Sequence, residues 1–237
     1  MTSRPMKHLQ LAVAAMIVCA SAAAIGYEDH LPPGPEAAQL RDRWDAPYRG
    51  NNRPGWDTGY PSTELTKAVK EGDVKPGRAI ELGCGTGSNA IYLAQQGFDV
   101  TAVDVSPTAL KRAEEKAAKA GVKIRWLLAD VLKLPEMEPF DFIFDRGCYH
   151  GVRRTHAAGY VEAVSRLSKP GTRLLIVAGN ANESRQSGPP RVKEDELRGD
   201  FQAGFSFVRL RETRFDTAEN PASGALAWSA LLERKTP

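Results

Sequence analysis

The sequence predicts an α/β fold: an open, mostly parallel seven-stranded sheet with helices on both faces and a C-terminal antiparallel hairpin. Three observations carry this expectation. Short apolar runs alternate with amphipathic stretches between residues 61 and 200, as in successive strand–helix units. The first of these runs, 78–82, breaks into Gly83, Gly85 and Gly87, a tight turn from strand to helix. Two segments of alternating apolar and polar residues, 205–215 and 225–233, then close the chain as a hairpin would. A length of 237 residues suits one such domain with an N-terminal extension.

Taken in order, residues 27–60 are rich in Pro, Gly, Asp and Arg and read as a linker or lid, with a short helix at 36–44. The main domain runs from 61 to 237. A helix at 61–71 leads to strand 78–82, which is followed by a helix at 89–96 stopped by Gly97. Strand 99–104 precedes Ser106-Pro107, a helix start with Ser as cap and Pro at the first helical position; that helix ends at Gly121. Strands 123–129 and 140–144 follow. A helix at 157–167, stopped by Lys169-Pro170-Gly171, leads to strand 172–178, a loop at 180–190 and a short acidic helix at 193–198. In such sheets ligands bind outside the carboxyl ends of the strands, so chemistry is expected after Leu82, Asp104, Ala129 and Phe144.

Composition narrows the class. The net charge of +3 comes without a Lys/Arg run, which argues against a nucleic-acid footprint. Cys19, Cys84 and Cys148 form neither a disulfide framework nor a metal-ligand spacing. Residues 1–26 form a separate unit: Arg4, Lys7 and His8 precede an apolar stretch, 9–25, that ends in Ala20-Ser21-Ala22-Ala23-Ala24. This pattern fits a signal peptide or an uncleaved membrane anchor, with the basic side cytoplasmic. A misassigned start codon is a third reading.

The glycine turn points to an adenosine-bearing cofactor. Glycines allow close approach of backbone to ligand, and Asp104 at the tip of the next strand can accept from both ribose hydroxyls. The dinucleotide fingerprint needs glycine where Ser88 stands, and Gly87 comes one residue early; a nicotinamide site is the competing reading. The densest chemical cluster is Asp145-Arg146-Gly147-Cys148-Tyr149-His150-Gly151, with acid, cation, thiol, phenol and imidazole together. Its bland reading is a charged surface turn with Asp145 paired to Arg146.

The spacing Glu81-x-Gly83-x-Gly85-x-Gly87 resembles motif I of the class I S-adenosylmethionine (SAM) methyltransferases. Phe144-Asp145-Arg146-Gly147, Gly188-Pro189-Pro190 and Gly55-Trp56-Asp57-Thr58-Gly59 together resemble the thiopurine and thiol/halide S-methyltransferase superfamily, over residues 44–233. The resemblance implies a Rossmann-like fold and SAM as cofactor. It places Glu81, Gly83, Cys84, Gly85, Gly87, Asp104 and Asp145 on the cofactor side. Asp130 would take the adenine amino group and the Val131 amide a ring nitrogen; a turn or helix-capping aspartate is the alternative for Asp130. Trp56 would cover the cofactor and Arg146 would face the substrate pocket. The chain departs from the family in its leader and at Tyr149 and His150.

The function expected is methyl transfer from SAM to a small molecule, a thiol or similar soft nucleophile. Arg146 would raise the thiolate fraction; His150, with Tyr149 beside it, would serve as base for a harder nucleophile. His156 is expected at a helix start without chemical role. Alternatives are an O- or N-methyltransferase and a non-catalytic, membrane-tethered SAM-binding module. A nucleic-acid partner is not expected, because Asp145 is followed by Arg-Gly-Cys rather than Pro-Pro and an aromatic. A monomer is expected. Localisation is left open, since the leader implies export or anchoring through residues 9–25 and SAM is a cytosolic metabolite.

Overall fold

The computed structural model describes residues 26–236. An eight-stranded sheet has the order β1-β4-β3-β2-β5-β6-β8-β7. The strands are β1 (Glu28–Asp29), β2 (Arg78–Leu82), β3 (Asp99–Asp104), β4 (Arg125–Leu128), β5 (Phe140–Arg146), β6 (Ser168–Gly179), β7 (Phe205–Arg214) and β8 (Leu226–Arg234). Pairing is parallel from β1 through β6, and β8 runs antiparallel between β6 and β7. The eighth strand, absent from the seven expected, is β1. It comes from the segment read as linker or lid and pairs with β4, where Arg125 holds Glu28 through two 2.8 Å bonds.

Six α-helices flank the sheet: α1 (Pro35–Asp45), α2 (Thr63–Lys70), α3 (Ser88–Gln95), α4 (Pro107–Ala120), α5 (Cys148–Arg166) and α6 (Glu194–Phe201). The strands alternate in the two directions, as their period of two requires. Ile80 and Leu82 join Tyr160, Val164, Leu197 and Phe201 of α5 and α6 in one core. Ala79, Val100 and Ala102 join Leu65, Ala90, Leu93, Leu110 and Ala113 of α2, α3 and α4 in the other. The predicted cap of α4 is present, with Ser106 Oγ accepting from the Ala109 amide at 3.0 Å.

Two predicted elements are corrected. Helix α5 starts at Cys148, not at 157, because the Asp145 carboxylate accepts the amides of Cys148 (3.1 Å) and Tyr149 (2.9 Å) after Gly147 turns the chain at φ 93°. His156 is a break inside this helix (φ −140°, ψ 46°) and so begins only its second part. The strand expected from 172 begins at Ser168 and includes Lys169-Pro170-Gly171.

The chain runs outward from β2 to β3 and β4 and then returns to β5 on the opposite side of β2. A switch point, and with it a crevice, therefore lies at the carboxyl ends of β2 and β5. Among the described residues no helix is long and apolar enough to cross a membrane. Of the leader expected at residues 1–26, residues 1–25 lie outside the described residues.

Candidate active site

At the end of β2 the chain turns through Gly83, Gly85 and Gly87, all at positive φ (69°, 53° and 75°), and enters α3. Packing forbids side chains here as well. A Cβ on Gly83 would sit 2.8 Å from the Cβ of Cys148, and one on Gly87 would sit 2.7 Å from the Trp126 ring. Asp104, at the tip of β3, holds the turn: one carboxylate oxygen accepts the Gly85 amide at 2.7 Å, the other the Ser106 amide at 2.8 Å. Each oxygen keeps a further lone pair for a ligand. Burial raises the Asp104 pKa against the pull of these amides.

Glu81 lies in the middle of the sheet and is buried. Its Oε1 accepts from Asn89 Nδ2 at 2.8 Å, while Oε2 is buried without a partner. Desolvation pushes this carboxyl up to about 8. An unsatisfied buried acceptor is costly, by about 1–3 kcal/mol, and a cationic or N–H group of a ligand would relieve it. Cys84 is buried in the turn, and burial pushes the thiols of Cys84 and Cys148 well above their usual range. This disfavours the thiolate form at both positions. Asp130 forms a turn, accepting the Leu132 amide at 3.0 Å through one oxygen, and Val131 is buried beside it.

The segment between α1 and α2 covers the glycine turn. A 3-10 turn, Ala46–Tyr48, brings the Tyr48 hydroxyl to 2.9 Å from where a Gly85 Cβ would be. That hydroxyl accepts from Trp56 Nε1 at 2.9 Å. The Trp56 ring stands edge-on to Trp44 and Tyr48 and is 48% exposed. Thr86, in the glycine turn, donates to Asp57 at 2.9 Å. At its base the segment is fastened to α4: Asp45 accepts from Ser106 Oγ and the Thr108 amide, and Arg112 donates to the carbonyls of Tyr48, Gly50 and Asn52.

On the β5 side, the Arg146 guanidinium donates to the Trp56 carbonyl at 3.0 Å and the Asp216 carbonyl at 3.2 Å, and lies over the Phe215 ring at 5.3 Å. Burial lowers its pKa, but a guanidinium stays charged. His150 is buried on the first turn of α5. Its Nδ1 accepts from the Gly179 amide at 2.9 Å, and its ring meets Phe215 edge-on at 5.9 Å. Burial, with Arg146 nearby, pushes it down to about 4.

Three sequence-based assignments are corrected by this geometry. Asp145, expected at the cofactor, is fully buried; it accepts two amides of α5 and, at 2.6 Å, the Tyr160 hydroxyl. It shapes the site by starting α5. Tyr149, expected beside the reaction, points into the core between Tyr160 and Phe201, with its hydroxyl on Asp200 at 2.7 Å. His150 cannot serve as base through Nδ1, because that nitrogen's lone pair is taken by an N–H. Tyr48, Asn89, Phe215 and Asp216 carry no sequence-based assignment, and Asp57 stands in the Gly55–Gly59 motif without a role of its own. Tyr48 and Asp57 had a signal in the aromatic-rich segment around Trp56; Phe215 and Asp216 had none beyond ending a strand.

Residues 79–171 match a family model described as a methyltransferase domain. The 2-heptyl-1-hydroxyquinolin-4(1H)-one methyltransferase of Mycobacteroides abscessus is 30% identical over 169 residues, covering 67% of this chain and 74% of that protein. A probable thiol methyltransferase of Arabidopsis thaliana is 28% identical, covering 62% of this chain and 65% of that one. A solved structure reported for the conversion of a disulfide bond into a thioacetal group during echinomycin biosynthesis is 28% identical. It has a TM-score of 0.72 and covers 83% of this chain and 93% of that one. A solved magnesium protoporphyrin IX methyltransferase of Synechocystis, 18% identical with a TM-score of 0.64, shares the fold and carries bound SAM.

A Rossmann-like sheet with a glycine-turn cofactor crevice at its switch point defines a nucleoside-cofactor enzyme. The chain belongs to the class I SAM-dependent methyltransferases. The residues fit that cofactor: the orphaned Glu81 Oε2, the side-chain-free turn and the Asp104 carboxylate offer acceptors around the turn. No group of three or more metal-ligating side chains occurs among the described residues.

Proposed function

We propose that this methyltransferase acts on a small-molecule thiol. The observation that carries the reading is the wall formed at the end of β5, where Arg146 and His150 stand together, Asp145 and Asp216 are engaged, and Glu81 is held largely protonated by burial. Asp145 is tied to α5, and Asp216 accepts from Thr63 Oγ1 (2.6 Å), the Thr63 amide (3.0 Å) and the Ala222 amide (2.9 Å). Such a wall presents the Arg146 charge, with Asp145 and Asp216 engaged and Glu81 favouring its neutral form, which suits a thiolate. The relatives named for a thiol and a thioacetal point in the same direction. The hydroxyquinolone relative keeps an oxygen acceptor as the second reading.

When bound, SAM supplies a methyl carbon made electrophilic by its sulfonium. The glycine turn would hold its methionine part with Glu81 taking the amino group; Asp104 would hold the ribose, and Asp130 with the Val131 amide the adenine. Trp56 and Tyr48 cover the turn and exclude water. Arg146 orients that cover through the Trp56 carbonyl and keeps a positive field on the acceptor side, which favours thiolate over thiol. Orientation and desolvation are then the protein's main contributions to rate.

Release of S-adenosylhomocysteine, measured against matched thiol, amine and hydroxyl panels, tests the reading. Turnover confined to thiols is expected. Turnover confined to hydroxyl or N-hydroxy compounds would replace it with the oxygen reading.

A further inference from the structure

We infer that His150 meets the acceptor as a fixed N–H donor rather than as a base, so that the site takes acceptors that have already lost their proton to solvent. This deepens the thiol reading and rests on it for the acceptor's identity. Gly179 is the last residue of β6. A backbone amide can only donate, so its 2.9 Å contact leaves His150 Nδ1 as the acceptor. The one proton of the neutral ring is then on Nε2. Nε2 has no hydrogen-bond partner among the described residues. The Nε2–Cε1 edge lies over Gly147, where a Cβ would be 3.6 Å from each atom, between the carboxyl ends of β5 and β6. It therefore looks into the same crevice as Arg146.

The surroundings hold this state. Phe215 packs edge-on against the ring and carries the Arg146 guanidinium, so the imidazole cannot turn without displacing both. The charged and titratable groups around it offer no counter-ion for an imidazolium. Arg146 on β5 repels it. Also on β5, Asp145 is consumed by two amides and Tyr160, and on His150's own helix burial holds the Cys148 thiol against ionisation. From the segment after β7, Asp216 is consumed by Thr63 and Ala222. Beyond Gly179, Glu212 is taken by Asn180 and Asn182. Using His150 as a base at Nδ1 would strand the buried Gly179 amide, and Nε2 already carries a proton.

The transfer then balances without proton movement in the site. The acceptor gives its proton to water before binding. A thiolate lone pair forms the new S–CH3 bond, and the pair of the broken CH3–S bond stays on the departing sulfur, so an anion and a cation become two neutral thioethers. Through Nε2–H, His150 holds the thiolate and selects for acceptors that ionise unaided.

The test uses the full chain with three thiols of well-separated acidity: 4-nitrothiophenol, thiophenol and 2-mercaptoethanol. The ascending limb of kcat/KM against pH is expected to move with each thiol's own pKa. His150→Asn keeps an acceptor for the Gly179 amide but lacks the Nε2 donor. It should lose about tenfold or more in kcat/KM, with the limb unmoved and SAM affinity unchanged. Nitrogen-15 NMR of labelled histidines should show His150 protonated at Nε2. A limb at one fixed pH for all three thiols, abolished in His150→Asn, would establish a base and overturn the inference, as would an Nδ1–H tautomer. If no thiol is methylated, the thiol reading fails, and the tautomer alone then decides the His150 assignment.

Discussion

Arg146 donates to the carbonyl oxygen of Trp56, ninety residues earlier in the chain, at 3.0 Å. The residue expected to face substrate therefore also fastens the segment that lies over the glycine turn. Arg146→Ala should weaken SAM binding about tenfold, since two hydrogen bonds from a charged donor, partly exposed, are lost together. It should also open residues 53–59 to limited proteolysis. Arg146→Lys, with a point charge in place of a planar fork, should recover charge but not the double contact. Unchanged SAM affinity by calorimetry in Arg146→Ala would show that the cover is held by its other contacts.

Asp104 joins the glycine turn to the tip of β3, so Asp104→Ala removes both a ligand acceptor and the Gly85 amide's partner. SAM affinity is expected to fall at least tenfold, at about 1.5–3 kcal/mol per charge-assisted hydrogen bond. Titration calorimetry checks this, and wild-type affinity would remove Asp104 from the ribose site.

Glu81 makes stability depend on pH in a defined direction. Its folded-state pKa, about 8, lies above its ordinary value near 4.5, so the folded chain holds a proton that the unfolded chain releases in that window. The ligand-free protein should lose stability as pH rises from about 4.5 towards 8, and Glu81→Gln should flatten that slope. A cationic amino group beside Oε2 favours the ionised form, so added SAM should stabilise wild type more at pH 8 than at pH 6. Melting temperatures across this range, with and without SAM, give both answers.

Asp145 tests the division between framework and site. Asp145→Ala strips α5 of its cap and leaves the buried Tyr160 hydroxyl without an acceptor, a loss of about 2–4 kcal/mol in denaturant unfolding. SAM affinity, measured where the variant is folded, should change little. A large affinity loss with intact stability would return Asp145 to the cofactor.

Much of the fold was legible because strand and helix periods, glycine stops and the Ser106-Pro107 cap are local signals. Strand β1 was not, since two residues carry no periodicity and gain their place only by pairing with β4. The start of α5 was hidden for a different reason. Glycine at 147 and 151 reads as a loop, while the cap that begins the helix is a carboxylate in the preceding strand. In the site, residue types located the crevice, but direction was not in the sequence. Tyr149 and His150 are neighbours on one helical turn, about 100° apart, so one enters the core and the other the crevice. The roles of Phe215 and Asp216 depend on the hairpin folding back, a contact that residue spacing does not encode.

Asp45 and Arg112 pin the chain from α1 to Asn52 onto α4, with the cover already seated over the glycine turn. Little chain then remains to be ordered when the donor arrives. In calorimetric terms, SAM binding should carry a small conformational-entropy penalty and a heat-capacity change set by the ligand's own buried surface rather than by coupled folding.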